Sequence, residues 1–266
     1  MLGRINNKQS GAILIIMMLG LVLFVATVFL TGVDKASQRS KKQDKTSRVL
    51  AEAKELLISF ALLSDKQSPA APSAGYLPCP DTDGDGVSNT PCGAAGDSVE
   101  GWLPWQTLGS KPLKDGDAVC LRYAVSGNYK INPSLVLIKA PPTAGHFVIH
   151  NSTNIVIVGT TPASYALAVV FAPRQLVVGQ TRAIGDTACG NSLVAAAVNQ
   201  AANYLDQLSS VDNARGTYAG PGTPGNTALP TSNPSVFIQG NKPTNYNDEL
   251  IWISSQDFVD VYARIP

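Results

Sequence analysis

The sequence predicts an α+β fold: a long N-terminal helix, hydrophobic and then amphipathic, packed on a globular domain with an antiparallel sheet. Three observations carry this. Residues 12–33 form a run of 22 without one charge. From 47 to 63, Val49, Leu50, Ala53, Leu56, Leu57, Phe60 and Leu63 recur at three- and four-residue spacing, with Glu52, Lys54 and Glu55 on or near the other face. Beyond residue 74, short β-branched or aromatic runs are separated by Gly-, Pro- and Asn-rich turns.

The elements follow in order. Residues 1–11 are a short basic leader carrying Arg4 and Lys8 and ending in Gly11. The hydrophobic helix 12–33 would rise about 33 Å at ~1.5 Å per residue, enough for a bilayer core of ~30 Å. No proline interrupts the chain from Ala12 to Asp65, so residues 34–65 are expected to continue the helix in amphipathic form. The stretch 68–74 (SPAAPSA) reads as a linker, and 66–266 as one globular domain. Strands are expected at 119–125, 135–139, 146–150, 154–158, 165–171 and 250–253. A second helix is expected at 191–208, and 215–247 reads as loop.

Charge narrows the function. The net charge of +1 divides into ten Lys/Arg against five Asp/Glu in residues 1–66, and ten against fourteen in 67–266. A mildly acidic domain without a basic, aromatic-lined groove argues against nucleic acid as partner. Cys79, Cys92, Cys120 and Cys189 all lie beyond the apolar run. An even number behind an export segment points to two disulfides in an oxidising compartment. Three connectivities exist; Cys79–Cys92 with Cys120–Cys189 is favoured, because the first would staple the acidic loop described next. Counting positive charges around the span would put the C-terminal part in the cytoplasm. The cysteines and the acidic loop argue for the other side.

That loop is Asp81-Thr-Asp83-Gly-Asp85-Gly86-Val87-Ser-Asn89. Carboxylates at alternate positions followed by glycine at the sixth match the first half of an EF-hand-type calcium loop. Asp81, Asp83 and Asp85 would supply hard oxygens, Val87 its carbonyl, and Asn89 a water-mediated contact. The twelfth position is Cys92 in place of a bidentate glutamate, so binding should be weak unless Asp97 or Glu100 folds back. Catalytic motifs are missing: there is no Gly-x-Ser-x-Gly, Walker loop or dinucleotide glycine pattern, and the two histidines, His146 and His150, have no flanking ligand set. Trp102 and Trp105 are expected to pack in the core. The chain does not read as an enzyme.

The leader glycine, Ala12 as a new N-terminus, and the apolar run through Val33 resemble the type IV pilins and type II secretion pseudopilins. That resemblance covers about the first 50 residues. It implies cleavage between Gly11 and Ala12 by prepilin peptidase, methylation of the new N-terminus, a bacterial inner-membrane precursor, and partner subunits bound through the N-terminal helix. The globular domain would lie in the periplasm or on an extracellular filament. The family usually carries glutamate five residues after the cut, where this sequence has Ile16. That departure implies a minor or tip-associated subunit. The other reading is a single-span envelope protein displaying a ligand-binding domain.

Overall fold

The computed structural model describes residues 10–67, 74–93, 97–131, 145–153, 155–182, 189, 201–208, 211–214, 235–240 and 246–262. Helix α1 runs from Ser10 to Leu62, 53 residues, consistent with a stretch free of proline. The chain divides into two units, Met1–Asp44 and Lys45–Pro266, and α1 contributes to both.

In the first unit the described side chains of residues 13–27 face solvent, including Ile13, Leu14, Ile15, Ile16, Met17 and Phe24. Among the described residues no helix is long and apolar enough to cross a membrane.

The second unit is built on a four-stranded antiparallel sheet. Its members are β1 (Val99–Trp102), β2 (Arg122–Val125), β5 (Ala168–Ala172) and β9 (Glu249–Ile253), in that order. Successive strand residues point to opposite faces, and here both faces are covered. On one face Tyr123, Val125, Ala168, Val170 and Ile253 pack with Leu50, Ala53, Leu57, Ile58 and Ala61 of α1. On the other, Ala124, Val169, Phe171 and Leu250 pack with Phe147, Ile149 and Phe237. Those last three come from a second sheet, in which β3 (Phe147–Asn151) lies between β4 (Val156–Val158) and β8 (Ser235–Gln239). Burial on both sides explains why β5 reads as continuous apolar sequence and not as alternation.

The remaining elements are small. Strands β6 (Gln207–Leu208) and β7 (Val211–Asp212) pair as a two-stranded antiparallel sheet, and α2 (Ser64–Gln67) follows α1 after a turn. Helix α3 (Ser255–Tyr262) is capped reciprocally at Ser254. Asp257 accepts the Ser254 N–H at 2.7 Å, and the Asp257 N–H donates to Ser254 Oγ at 3.3 Å.

Several expectations need correction. Strands β3 and β8 are parallel, Phe147 opposite Ser235 through Asn151 opposite Gln239, so the sheets are not antiparallel throughout. A parallel pair requires a crossover connection, and 83 residues separate these two strands. β8 also lies inside the stretch expected to be loop, with Phe237 and Ile238 buried. Of the helix expected at 191–208, residues 201–208 are described: a 3₁₀ turn at Ala201–Asn203 and then β6. Extended backbone wins there because Asp206 accepts the N–H of Asn247 and, at 2.7 Å, that of Asp248, drawing the chain beside β9. Leu63, expected on the apolar stripe, is 45% exposed where α1 ends in a turn. The strand expected at 135–139 lies outside the described residues.

Candidate functional site

The acidic loop leaves Pro80 and returns to β1. Asp81 is anchored as a bridge partner of Trp102, exchanging N–H···O bonds of 3.0 and 2.8 Å. From that fixed point its carboxylate gathers the loop: Oδ1 accepts the N–H of Asp83 at 3.1 Å and of Gly84 at 2.6 Å, and Oδ2 accepts that of Gly86 at 2.7 Å. Gly84 and Gly86 have φ of +80° and +84°, left-handed values that glycine adopts without a Cβ penalty. Asp83 and Asp85 repeat the pattern more locally, accepting the N–H of Asp85 at 3.4 Å and of Val87 at 2.7 Å.

One carboxylate oxygen from each of Asp81, Asp83 and Asp85 lies within 4.8 Å of the other two. Asp81 is buried, Asp85 half-buried and Asp83 exposed. Burial pushes the Asp81 carboxyl up to about 6, opposed by its bonds from Gly86 and Gly84 and reinforced by Asp83. Three hard oxygens, one of them costly to ionise in its place, suit a hard divalent cation such as calcium.

These three carboxylates lie together, while the other residues expected at the loop are placed as follows. Asn89 spans the loop: Oδ1 accepts Thr82 N–H at 2.6 Å, and Nδ2 donates to Asp83 Oδ2 at 3.2 Å. Val87 is exposed. Glu100 does not fold back toward the loop. It is fully buried in β1 and paired with Arg122 Nε at 2.5 Å, while Arg122 lies 4.4 Å over the Trp102 ring. Trp102 is buried and meets Tyr204 edge-on at 4.6 Å, the core role expected of it. His146 Nδ1 is 3.0 Å from Ser98 Oγ, and burial lowers its pKa.

The loop is stapled from behind by Cys79–Cys92, and a second disulfide joins Cys120 to Cys189. Cys92, at the twelfth loop position, has its carbonyl held by the buried Lys130 ammonium. What sequence reasoning missed is the grip of residues 105–107. The Gln106 N–H donates to Gly86 O at 2.9 Å, its Nε2 donates to Asp85 O at 2.7 Å, and Thr107 Oγ1 accepts Ser88 N–H at 2.8 Å. Nothing in the local pattern Trp105-Gln-Thr signals this. Gly86 could have hinted at a close approach, since a Cβ there would lie 2.5 Å from Trp105 Nε1.

Comparison with protein-family models, with curated proteins and with solved structures finds no match for this chain.

Proposed function

We propose that this chain is a minor or tip-associated pilin or pseudopilin, a structural subunit of a type IV pilus or type II secretion-type filament. The observation that carries the reading is the charge-free run of 22 residues beginning directly after Gly11, preceded by a basic leader. An apolar surface on every side of a helix needs lipid or other helices around it. In this reading prepilin peptidase removes residues 1–11, the helix from Ala12 is held in the inner membrane and then among neighbouring subunits, and the disulfide-bearing domain faces the periplasm or the outside. The domain has a structural role.

Ile16 sets the position within the filament. A carboxylate there would pair with a neighbour's terminal amine inside an apolar bundle, where an unpaired charge is costly. With isoleucine the chain leaves that amine unmatched and is a poor repeating unit. The acidic loop adds a calcium-stabilised element: Asp81, Asp83 and Asp85 would hold the ion, with the Val87 carbonyl completing the set and Asn89 bracing Asp83. The ion's two positive charges would offset most of the repulsion among three converging carboxylates.

Labelled filaments test the assignment. A sparse signal concentrated at filament ends is expected, and filaments composed mainly of this protein would overturn the minor-subunit reading. A protein found only in membranes, with its leader intact, would favour the single-span envelope alternative.

A further inference from the structure

The acidic loop and the Cys120–Cys189 disulfide are far apart in sequence, yet one side chain joins them. Trp105 covers Gly86 so closely that a methyl group at Gly86 would collide with three atoms of the indole. Its Nε1–H donates to the carbonyl of Cys189. The next residue, Gln106, holds Asp85 and Gly86 through their carbonyls. Trp105, Cys120 and Cys189 also line one small pocket with Leu113 and Leu121. The carbonyl that fixes the indole is thus located by a covalent bond between Cys189 and Cys120, and Cys120 is itself a bridge partner of Lys114.

We infer that the Cys120–Cys189 disulfide, acting through Trp105, holds the acidic loop closed, so that cleaving this bond loosens residues 81–89. Trp105 is a positioning residue. It meets the loop at Gly86, and its Nε1–H is held by the Cys189 carbonyl. Opening the bond needs a dithiol reductant. One thiolate attacks the half-buried Cys189 Sγ, the buried Cys120 sulfur leaves and takes a proton, and the second reagent thiol displaces Cys189 as the reagent closes its own disulfide. Two electrons pass to the protein, and two thiols result. Coupling is reciprocal, so whatever tightens the loop protects the bond. The part of this inference that concerns a cation rests on the calcium reading above; the mechanical link does not.

The test uses the full chain in detergent micelles. Amide hydrogen exchange is followed in peptides covering 81–89 and, as a control, β2 and β5. Cys120→Ser with Cys189→Ser should speed exchange of the loop by about tenfold, a usual size for coupling between sites. Trp105→Phe, which keeps a ring and removes the Nε1–H donor, should do the same with β2 and β5 unchanged. Adding the cysteine substitutions to Trp105→Phe should then speed the loop little further. Loop exchange within twofold of the parent in Trp105→Phe overturns the inference, including the case in which the double cysteine variant unfolds as a whole. Calcium chloride should slow both loop exchange and dithiothreitol cleavage of Cys120–Cys189. If calcium changes neither rate while the variants still loosen the loop, the link stands and the calcium reading falls.

Discussion

At the scale of single residues, buried carboxylates govern this domain. Asp81 is legible in the sequence because aspartates at alternate positions before glycine imply convergence. If calcium binds, a concentration tenfold above Kd stabilises the protein by about 1.4 kcal/mol, a rise in melting temperature of about 3–6 °C for a domain near 200 residues. Asp83→Ala with Asp85→Ala should abolish that rise in a thermal melt. Superimposable melts of the parent in calcium and in chelator would reduce the loop to a turn. Asp206 and Asp248 were not legible, because nothing near either residue says that they meet. They clasp each other's main chain: Asp248 Oδ2 accepts Asp206 N–H at 2.8 Å, and Asp206 Oδ2 accepts Asp248 N–H at 2.7 Å. Burial pushes the Asp206 carboxyl from 3.8 up to about 6, and burial with the neighbouring Asp206 pushes Asp248 well up. A raised carboxyl stabilises the fold fully below the unfolded pKa, near pH 4, and that stability is lost as pH rises through about 6. The loss amounts to about 2–3 kcal/mol at ~1.4 kcal/mol per unit. Asp206→Asn should therefore lose less stability than the parent between pH 4 and 7 in chelator. Parallel pH profiles would refute the assignment.

At the scale of elements, periodicity served well where one face of an element is buried and poorly where tertiary contacts override it. The stripe from Val49 to Phe60 identified the part of α1 that covers the sheet, because helical spacing and burial coincide there. β8 was hidden by flanking Gly, Pro and Asn, although its parallel partner β3 and the bracket of Asn213 around Ile238 keep it extended. Helix α3 carried a readable signal in Ser254-Ser-Gln-Asp257, the spacing of a capping box. Its Asp257 also reaches Lys54 of α1 at 2.8 Å. The amphipathic half of the helix was expected to pack on the globular domain 66–266, and the second half of α1 does so. Leu50, Ala53, Leu57, Ile58 and Ala61 belong to the domain's core, and a buried leucine is worth about 2–5 kcal/mol when truncated to alanine. A fragment starting at residue 36 should melt cooperatively, and one starting at 66 should show no transition by near-ultraviolet circular dichroism. Equal melting of the two fragments would mean that the helix face contributes little.

At the scale of the whole molecule, the chain combines a helix with exposed apolar side chains along residues 13–27 and a disulfide-bonded domain with its own two-faced core. The domain's architecture was legible as α+β from a long helical signal followed by a series of short strand signals. Its connectivity was not, because parallel pairing of distant strands leaves no local trace. The filament reading rests on the N-terminal pattern, and its most direct consequence is covalent. Within α1 the Gly11–Ala12 peptide bond is the expected cleavage point. The decisive measurement is the intact mass of the mature protein purified from a host with active prepilin peptidase. The expected mass is that of residues 12–266 with both disulfides formed and one added methyl group. A mass that retains residues 1–11, or that reveals a cut beyond Val33, would contradict it.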